Sequence, residues 1–200
     1  ARNKPYQLNL AQEIGFKIPE GTISNNSKNI LKKVARFDRF IYKPLSYYIR
    51  PPDQVLYSSV MSKEEVIEKR KNIEQAPCIF QQYLEKDFEL RITVVGEQVF
   101  AVKIHSQKSK KTELDWRKDQ LHLEYEFFKL PDHIKIKLLK LHQAFGLFYG
   151  AYDFIVDQNG DYHFLEVNPA GQWLWMEEIL GLNISECMAQ ALCEASTCEA

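Results

Sequence analysis

Tyr152-Asp153-Phe154-Ile155-Val156-Asp157-Gln158-Asn159-Gly160-Asp161-Tyr162-His163-Phe164-Leu165-Glu166-Val167-Asn168-Pro169 sets two runs rich in aromatic and β-branched residues on either side of Asn-Gly. Asn-Gly is the strongest short hairpin signal, because both central residues of a type I′ turn need positive φ. A two-residue turn at Asn159-Gly160 puts Gln158 opposite Asp161, and counting outward puts Asp153 opposite Glu166. Directly opposed Cβ atoms lie roughly 5 Å apart. Asn168, two residues beyond Glu166, projects from the same face. Two carboxylates and an amide oxygen on one patch of sheet make a hard-oxygen donor set. Mg²⁺ takes such donors when water and substrate phosphates complete its shell. Opposed like charges otherwise destabilise a sheet, and an ion between them removes that cost. The residues alone leave a second reading open, an ordinary hairpin with an exposed acidic pair.

The chain has 200 residues, 45% of them hydrophobic, enough to bury a sizeable core as one compact domain or two small lobes. A net charge of −1, from 26 basic and 27 acidic residues, argues against a general nucleic-acid or membrane-surface binder. No apolar run approaches a membrane span, and no signal peptide opens the chain. Cys78, Cys187, Cys193 and Cys198 do not follow zinc-ligand spacing. Reduced thiols in a cytoplasmic protein are expected. The chain enters a helix almost at once, without an initiator Met, and is read as a fragment whose N-terminal portion lies elsewhere.

Local signals outline an α+β chain. Asn3 caps a helix running to Gly15, with Leu8 and Ala11 on its inner face. Ser27 caps a second helix. Arg39 to Lys43 is a strand stopped by Pro44, and Val55 to Val60 is another. Ser62-Lys63-Glu64-Glu65 is a capping box opening a helix. Cys78 to Leu84 is a strand leading to a charged connector, Glu85-Lys86-Asp87. Glu89 to Val95 and Gln98 to His105 form a hairpin about Gly96-Glu97. Lys108 to Gln120 is polar and reads as a mobile loop, and Leu121 to Leu130 as a strand. Pro131 suits the first turn of a long helix with Ile134, Leu138, Leu141 and Phe145 inward. Trp173 to Leu180 is a short helix ended by Gly181, and Ser185 caps the last one. The lobes join near residues 84–87, and ligands favour inter-lobe clefts.

A metal site for polyphosphate needs cations near it. Lys43, held at a strand end, suits a point charge on phosphate, or is an ordinary solvated strand-end lysine. Lys4 lies in the first turn of a helix, where the dipole disfavours a cation unless an anion is close; the other reading is a frayed surface lysine. Arg91 and Glu89 alternate along one strand and share a face. Arg91 there can meet phosphate or a carboxylate substrate and Glu89 a ribose, or the two can simply pair with each other. Arg117 follows Trp116, whose ring can hold a guanidinium as a clamp on a transferring phosphoryl group. Backbone groups of Gln81, Gln82, Tyr83 and Leu84, at the lobe junction, can read an adenine edge. The scattered histidines form no triad, and neither a P-loop nor a GxGxxG fingerprint is present.

The order of these pieces resembles the ATP-grasp family, and more narrowly the ligases that mature microviridin-type (graspetide) ribosomal peptides. The resemblance is carried by Asn3-Lys4-Pro5-Tyr6-Gln7-Leu8, the strand at Lys43, Glu89-Leu90-Arg91-Ile92-Thr93-Val94-Val95-Gly96, Lys103-Ile104-His105-Ser106-Gln107 and Asp115-Trp116-Arg117. Its most specific part is Phe164-Leu165-Glu166-Val167-Asn168-Pro169 with Gly171-Gln172-Trp173-Leu174-Trp175. It implies two α+β lobes with antiparallel sheets, residues 1–84 and 85–200, holding ATP between them. It implies Mg²⁺, as two ions, on Asp153, Glu166 and Asn168. Lys4, Lys43 and Arg117 would meet phosphate, Gln81 to Leu84 adenine, and Glu89 the ribose side. Such enzymes pass the γ-phosphoryl group to an Asp or Glu side chain of a precursor peptide that carries a leader segment. A Ser or Thr hydroxyl or a Lys amine then displaces phosphate, closing an ester or amide ring. Homodimers are common in this branch. The chain departs from the pattern in three ways. Tyr47 to Pro52 contains no Gly where a glycine-rich phosphate loop is usual. Gln82 stands where an acidic hinge residue is common. The N-terminal domain of these ligases is not within the 200 residues. An amino-acid ligase of the glutamate-adding or dipeptide-forming kind, or a nucleotide- or peptide-binding module without turnover, are the competing readings.

Overall fold

The computed structural model describes residues 3–45, 49–50, 54–55 and 58–197. Most of the glycine-free segment Tyr47 to Pro52, part of the strand expected at Val55 to Val60, and Cys198 fall outside them. The elements in order are α1 (Lys4–Ile14), β1 (Gly21–Ser24), α2 (Ser27–Val34), β2 (Phe40–Pro44), β3 (Ile49–Arg50), β4 (Gln54–Val55), β5 (Ser59–Met61), α3 (Lys63–Glu68), α4 (Arg70–Ile73), β6 (Cys78–Gln82), β7 (Lys86–Val95), β8 (Gln98–Ile104), β9 (Tyr125–Phe127), α5 (Asp132–Ala144), β10 (Tyr149–Asp157), β11 (Tyr162–Asn168), α6 (Leu174–Leu180) and α7 (Ile184–Thr197). Antiparallel sheets and helices make the class α+β, as the sequence predicts.

Two compact units emerge. One comprises Ala1–Ile18, Lys86–Gln107 and His122–Ala200; the other comprises Pro19–Glu85 and Lys108–Leu121. The passage at Glu85 and Lys86 lies beside the expected division at residues 84 and 85. Residues 1–18, however, pack with the later unit and 108–121 with the earlier one. A single cut in the sequence cannot describe that exchange.

In the first unit the sheet order is β11-β10-β7-β8-β9. Alternation along β7 and β10 sends Leu90, Ile92, Val94, Tyr152, Phe154 and Val156 to one face, against Ile134, Leu138 and Leu141 of α5 and Ala11 of α1. Each such side chain contributes roughly 1.5–3 kcal/mol when fully buried. The opposite face is covered at one end by α6 and α7, where Met176 and Ile184 meet Val95 and Val102. The aromatic pairs Trp173–Tyr149 and Trp175–Tyr125 extend that cover.

The β10–β11 hairpin reaches the expected pairing by another route. The loop is Gln158-Asn159-Gly160, not Asn159-Gly160 alone. Asp157 N–H donates to Asp161 O at 3.1 Å, and Gly160 takes φ +80°, as in a three-residue hairpin loop with glycine in the left-handed region. Asp157 Oδ1 accepts from Asn159 N at 2.9 Å and Asp161 N at 3.0 Å, which secures the loop. Next to the loop Val156 pairs with Tyr162 and Phe154 with Phe164, a one-residue offset from the expectation. Leu165 is then bulged out, and Asp153 pairs with Glu166. Loop and bulge cancel. Without the bulge Glu166 would share the core face with Phe164, since a one-residue slip reverses every side chain.

The second unit is built on the sheet β1-β6-β2-β5. Ile30 and Val34 of α2 pack with Phe40, Phe80, Val66 and Ile73. The Ser62–Glu65 capping box forms with both reciprocal bonds. Three helix starts differ from the sequence reading. Asn26, not Ser27, caps α2, accepting from Asn29 N at 3.1 Å. Pro131 precedes α5 instead of opening it. Ser185 lies inside α7, with its hydroxyl and N–H on Glu177. Residues 108–120, expected to be a mobile loop, bury Thr112, Asp115 and Trp116 and run into a 3₁₀ turn at Trp116–His122. That turn replaces the first part of the strand expected at 121–130. Among the described residues no helix is long and apolar enough to cross a membrane.

Candidate functional site

Register brings the acids of the first unit to one place. Asp153 pairs with Glu166 on one side and with Arg91 on the other, and Ala151 pairs with Asn168. Arg91, Asp153, Glu166 and Asn168 therefore share the face opposite the α1/α5 core. Arg91 Nη1 donates to Asp153 Oδ1 at 3.0 Å and Oδ2 at 3.1 Å. Lys4 Nζ lies 2.9 Å from Glu166 Oε2. Glu166 is the anion that offsets a cation in the first turn of α1, where no acidic residue of the helix itself stands. Glu89 accepts from Lys86 Nζ at 2.7 Å with both groups buried, so its partner is Lys86, not Arg91.

The segment after Asn168 folds back over this face. Ala170 N–H donates to Asn168 Oδ1 at 2.9 Å, and Gly171 N–H to Asn168 O at 3.3 Å. The Tyr149 hydroxyl donates to Gly171 O, and Arg91 Nη2 to Gln172 O at 3.5 Å. Burial holds the Tyr149 phenol above its usual pKa, the Arg91 charge opposing, so it stays a donor. A Cβ at Gly171 would stand 2.4 Å from Arg91 Nη2 and 2.5 Å from Ala151 Cβ. Only glycine lets the backbone lie this close to the guanidinium.

The donors suit a hard cation. Among the described residues no group of three or more His, Cys, Asp or Glu is arranged to hold a metal. The set here is two carboxylates and an amide, the oxygen chemistry of Mg²⁺. A carboxylate offers about four lone-pair directions. Arg91 and Lys4 occupy part of that capacity and balance the two negative charges.

The other residues singled out in the sequence lie in the second unit. Lys43 sits half-buried near the end of β2, opposite Ile79 of β6. Gln81 is buried within β6, and Gln82 N–H donates to Glu20 O at 2.6 Å. Tyr83 lies beneath the Arg39 guanidinium, 4.1 Å from its ring centre, with its hydroxyl 3.3 Å from Glu113 Oε1. Leu84 follows in the half-buried coil. Arg117 is gripped by Asp115: Nε to Oδ1 is 2.8 Å and Nη2 to Oδ2 is 2.7 Å. The sequence reading gave the holding role to Trp116; the structure provides Asp115. Burial would raise the Asp115 carboxyl, but hydrogen bonds and charge from Arg117, with the Ser58 N–H, outweigh it and hold it below the usual range.

Two contributors were missed in the sequence. Gln7 is 3% exposed, a polar residue on the buried side of α1 beside Ala11. Its signal is its place one helical turn from both Lys4 and Ala11. Asp115 precedes Trp116-Arg117 and reads as surface charge until its burial is known.

The family model for the RimK-like ATP-grasp domain matches residues 48–192. Among solved structures, a RiPP-associated ATP-grasp ligase of Chryseobacterium gregarium, in complex with ADP and a leader and core peptide, is 32% identical. Its TM-score is 0.91, covering 97% of this chain and 60% of that one. The macrocyclase MdnC of Microcystis aeruginosa MRC, bound with precursor peptide MdnA, is 34% identical, with TM-score 0.84 and coverage of 97% and 61%. The macrocyclase MdnB from the same organism is 30% identical, with TM-score 0.71 and coverage of 96% and 58%. The chain thus spans about 60% of the length of these structures. No curated protein matches it.

Proposed function

Because the chain belongs to the RimK-like ATP-grasp family, we propose that it is the ATP-binding part of a ligase that activates Asp or Glu side chains of a ribosomal precursor peptide and closes ester or amide rings. The juxtaposition of Asp153, Glu166 and Asn168 with Lys4 and Arg91 is the observation that supports this most. The likeness to the Chryseobacterium ligase and to MdnC, each bound to its peptide, supports the substrate class. A cytoplasmic location, where ATP and a nascent peptide meet, fits the same reading.

Asp153, Glu166 and Asn168 would hold Mg²⁺, which supplies charge neutralisation on the phosphates when bound. Lys4, Lys43 and Arg117 are assigned to phosphate, Gln81 to Leu84 to adenine, and Glu89 to the ribose side. Arg91 fixes the orientation of Asp153. The γ-phosphoryl group passes to the peptide carboxylate, giving an acyl phosphate and ADP. A Ser or Thr hydroxyl or a Lys amine attacks the acyl carbon, its proton leaves, and inorganic phosphate departs, so each ring costs the peptide one water. Phosphoryl transfer needs positioning and charge more than a protein nucleophile, and no triad is required.

Asp153→Ala or Glu166→Ala should abolish peptide-dependent ADP formation while circular dichroism stays that of the parent. Wild-type turnover in either variant removes the metal assignment. Mg-ATP binding by calorimetry, with no ADP from any candidate precursor, returns the protein to a binding module.

A further inference from the structure

Val167 separates two of the proposed metal donors, and β11 is the edge strand of its sheet. An edge leaves backbone groups in want of a partner. At Val167 one side chain supplies both: Gln7 Nε2 donates to Val167 O at 2.9 Å, and Val167 N–H donates to Gln7 Oε1 at 3.0 Å. A glutamine amide carries the same donor and acceptor as a peptide unit, so Gln7 stands in for a neighbouring strand at that single point. The pair is out of water, Gln7 being 3% exposed. Breaking it would leave a buried backbone donor and acceptor unmatched. Lys4 precedes Gln7 by three residues on α1, hence on the same side of the helix, and it meets Glu166, the residue before Val167. Farther along, Phe164 N–H donates to Lys17 O at 2.9 Å, so the N-terminal segment borders β11 at two places.

We propose that Gln7 is a positioning residue for the metal site. It fixes the backbone between Glu166 and Asn168, and so the relation of two donors to each other. The inference rests on the Mg²⁺ reading of Asp153, Glu166 and Asn168. Gln7 need not touch metal, nucleotide or peptide to act.

The test is a Mn²⁺ titration of the purified protein followed by electron paramagnetic resonance, beside ADP binding in the absence of metal. Partners that orient metal ligands are typically worth 10–100-fold in affinity, so Gln7→Met should weaken Mn²⁺ binding about tenfold or more and leave metal-free ADP binding unchanged. Unchanged Mn²⁺ affinity overturns the proposal. Parallel loss of Mn²⁺ and ADP affinity also overturns it, since that is general loosening. Glu166→Gln separates the two layers. If it too binds Mn²⁺ like the parent, the metal reading itself has failed; if it alone is weakened, only the role of Gln7 falls. Should Gln7→Met not fold, the unaltered protein decides. Mg²⁺ must then slow hydrogen exchange in the peptide containing Val167, because the clasp and the ion stabilise each other reciprocally. Exchange that ignores Mg²⁺ overturns the idea.

Discussion

Arg117 and Arg91 each hold an aspartate, with the exposed partner reversed. Asp115 is sunk, its side chain 4% exposed, and Arg117 above it is 40% exposed. Arg91 is sunk at 9%, and Asp153 is the more open partner at 21%. The grip differs as well. Arg117 presents two nitrogens to two oxygens, whereas a single Nη1 of Arg91 lies between both oxygens of Asp153. Arg91 Nε is buried with no hydrogen-bond partner among the described residues. In each pair the buried member orients and the outer member is presented. One unit thereby presents a fixed cation, Arg117, proposed above for phosphate, and the other a fixed anion, Asp153, proposed above for Mg²⁺.

The comparison breaks most readily at Arg91. Arg91→Met removes a buried cation and leaves Asp153, which faces Glu166, without its guanidinium partner. Stripping one partner from a fully buried pair costs roughly 3–5 kcal/mol; the carboxylate left here is the more open partner, so the loss falls below that range. That loss should appear as a lower midpoint in urea unfolding without metal. Saturating Mg²⁺ should recover part of it, because the ion replaces the missing positive charge at Asp153. A variant as stable as the parent, or one indifferent to Mg²⁺, would mean that Arg91 does not hold Asp153 for a cation.

Gly171→Ala asks the same question through packing. Its methyl group would enter the space of Arg91 Nη2 and Ala151 Cβ. Overpacking of a tight site typically costs about 1–3 kcal/mol. Since the guanidinium must shift to make room, the Mg²⁺ concentration giving half-maximal ADP formation should rise, whereas Gly96→Ala, which strains a turn at φ +56° but meets nothing within 4 Å, should lower stability and leave that concentration unchanged. If both glycines respond alike, the contact between Gly171 and Arg91 is incidental.

These pairs also mark how far the sequence can be read. The alternation of apolar residues along β7, β10 and α5 places the core, because period and face are local properties. The opposition of Asp153 and Glu166 was legible, but by two one-residue differences that cancel. The loop holds three residues, and Leu165 is bulged, and neither leaves a clear mark in the sequence. The Glu89–Arg91 pair was the wrong pairing within the right face, since Lys86 and Asp153 are nearer partners and arrive from positions that strand alternation does not order. Lys4 could be flagged as a cation in want of an anion, but naming Glu166 needed the helix laid along β11. Gln7 and Asp115 stand in stretches that carry the family resemblance, but their roles were not legible for a shared reason: a buried polar side chain looks like a surface one until its partner is known.

The smallest effect expected lies at Asp115 and concerns acid alone. Its folded-state pKa is held below the ordinary aspartate value, through Arg117 and the Ser58 N–H working against burial. A depressed carboxylate binds its proton less readily when folded than when unfolded. Its contribution to stability is therefore complete above the unfolded pKa, near 3.9, and is lost as pH falls through the lower folded value. One group changes the slope by no more than about 1.4 kcal/mol per pH unit. Asp115→Asn should accordingly flatten the acid side of a stability–pH curve measured by urea unfolding, below about pH 4, with or without Mg²⁺. An acid side as steep as in the parent would mean that Asp115 is not the anchored member of its pair. An effect that Mg²⁺ reverses would make the two arginine–aspartate pairs the same kind of site, and the contrast between presented cation and presented anion would be lost.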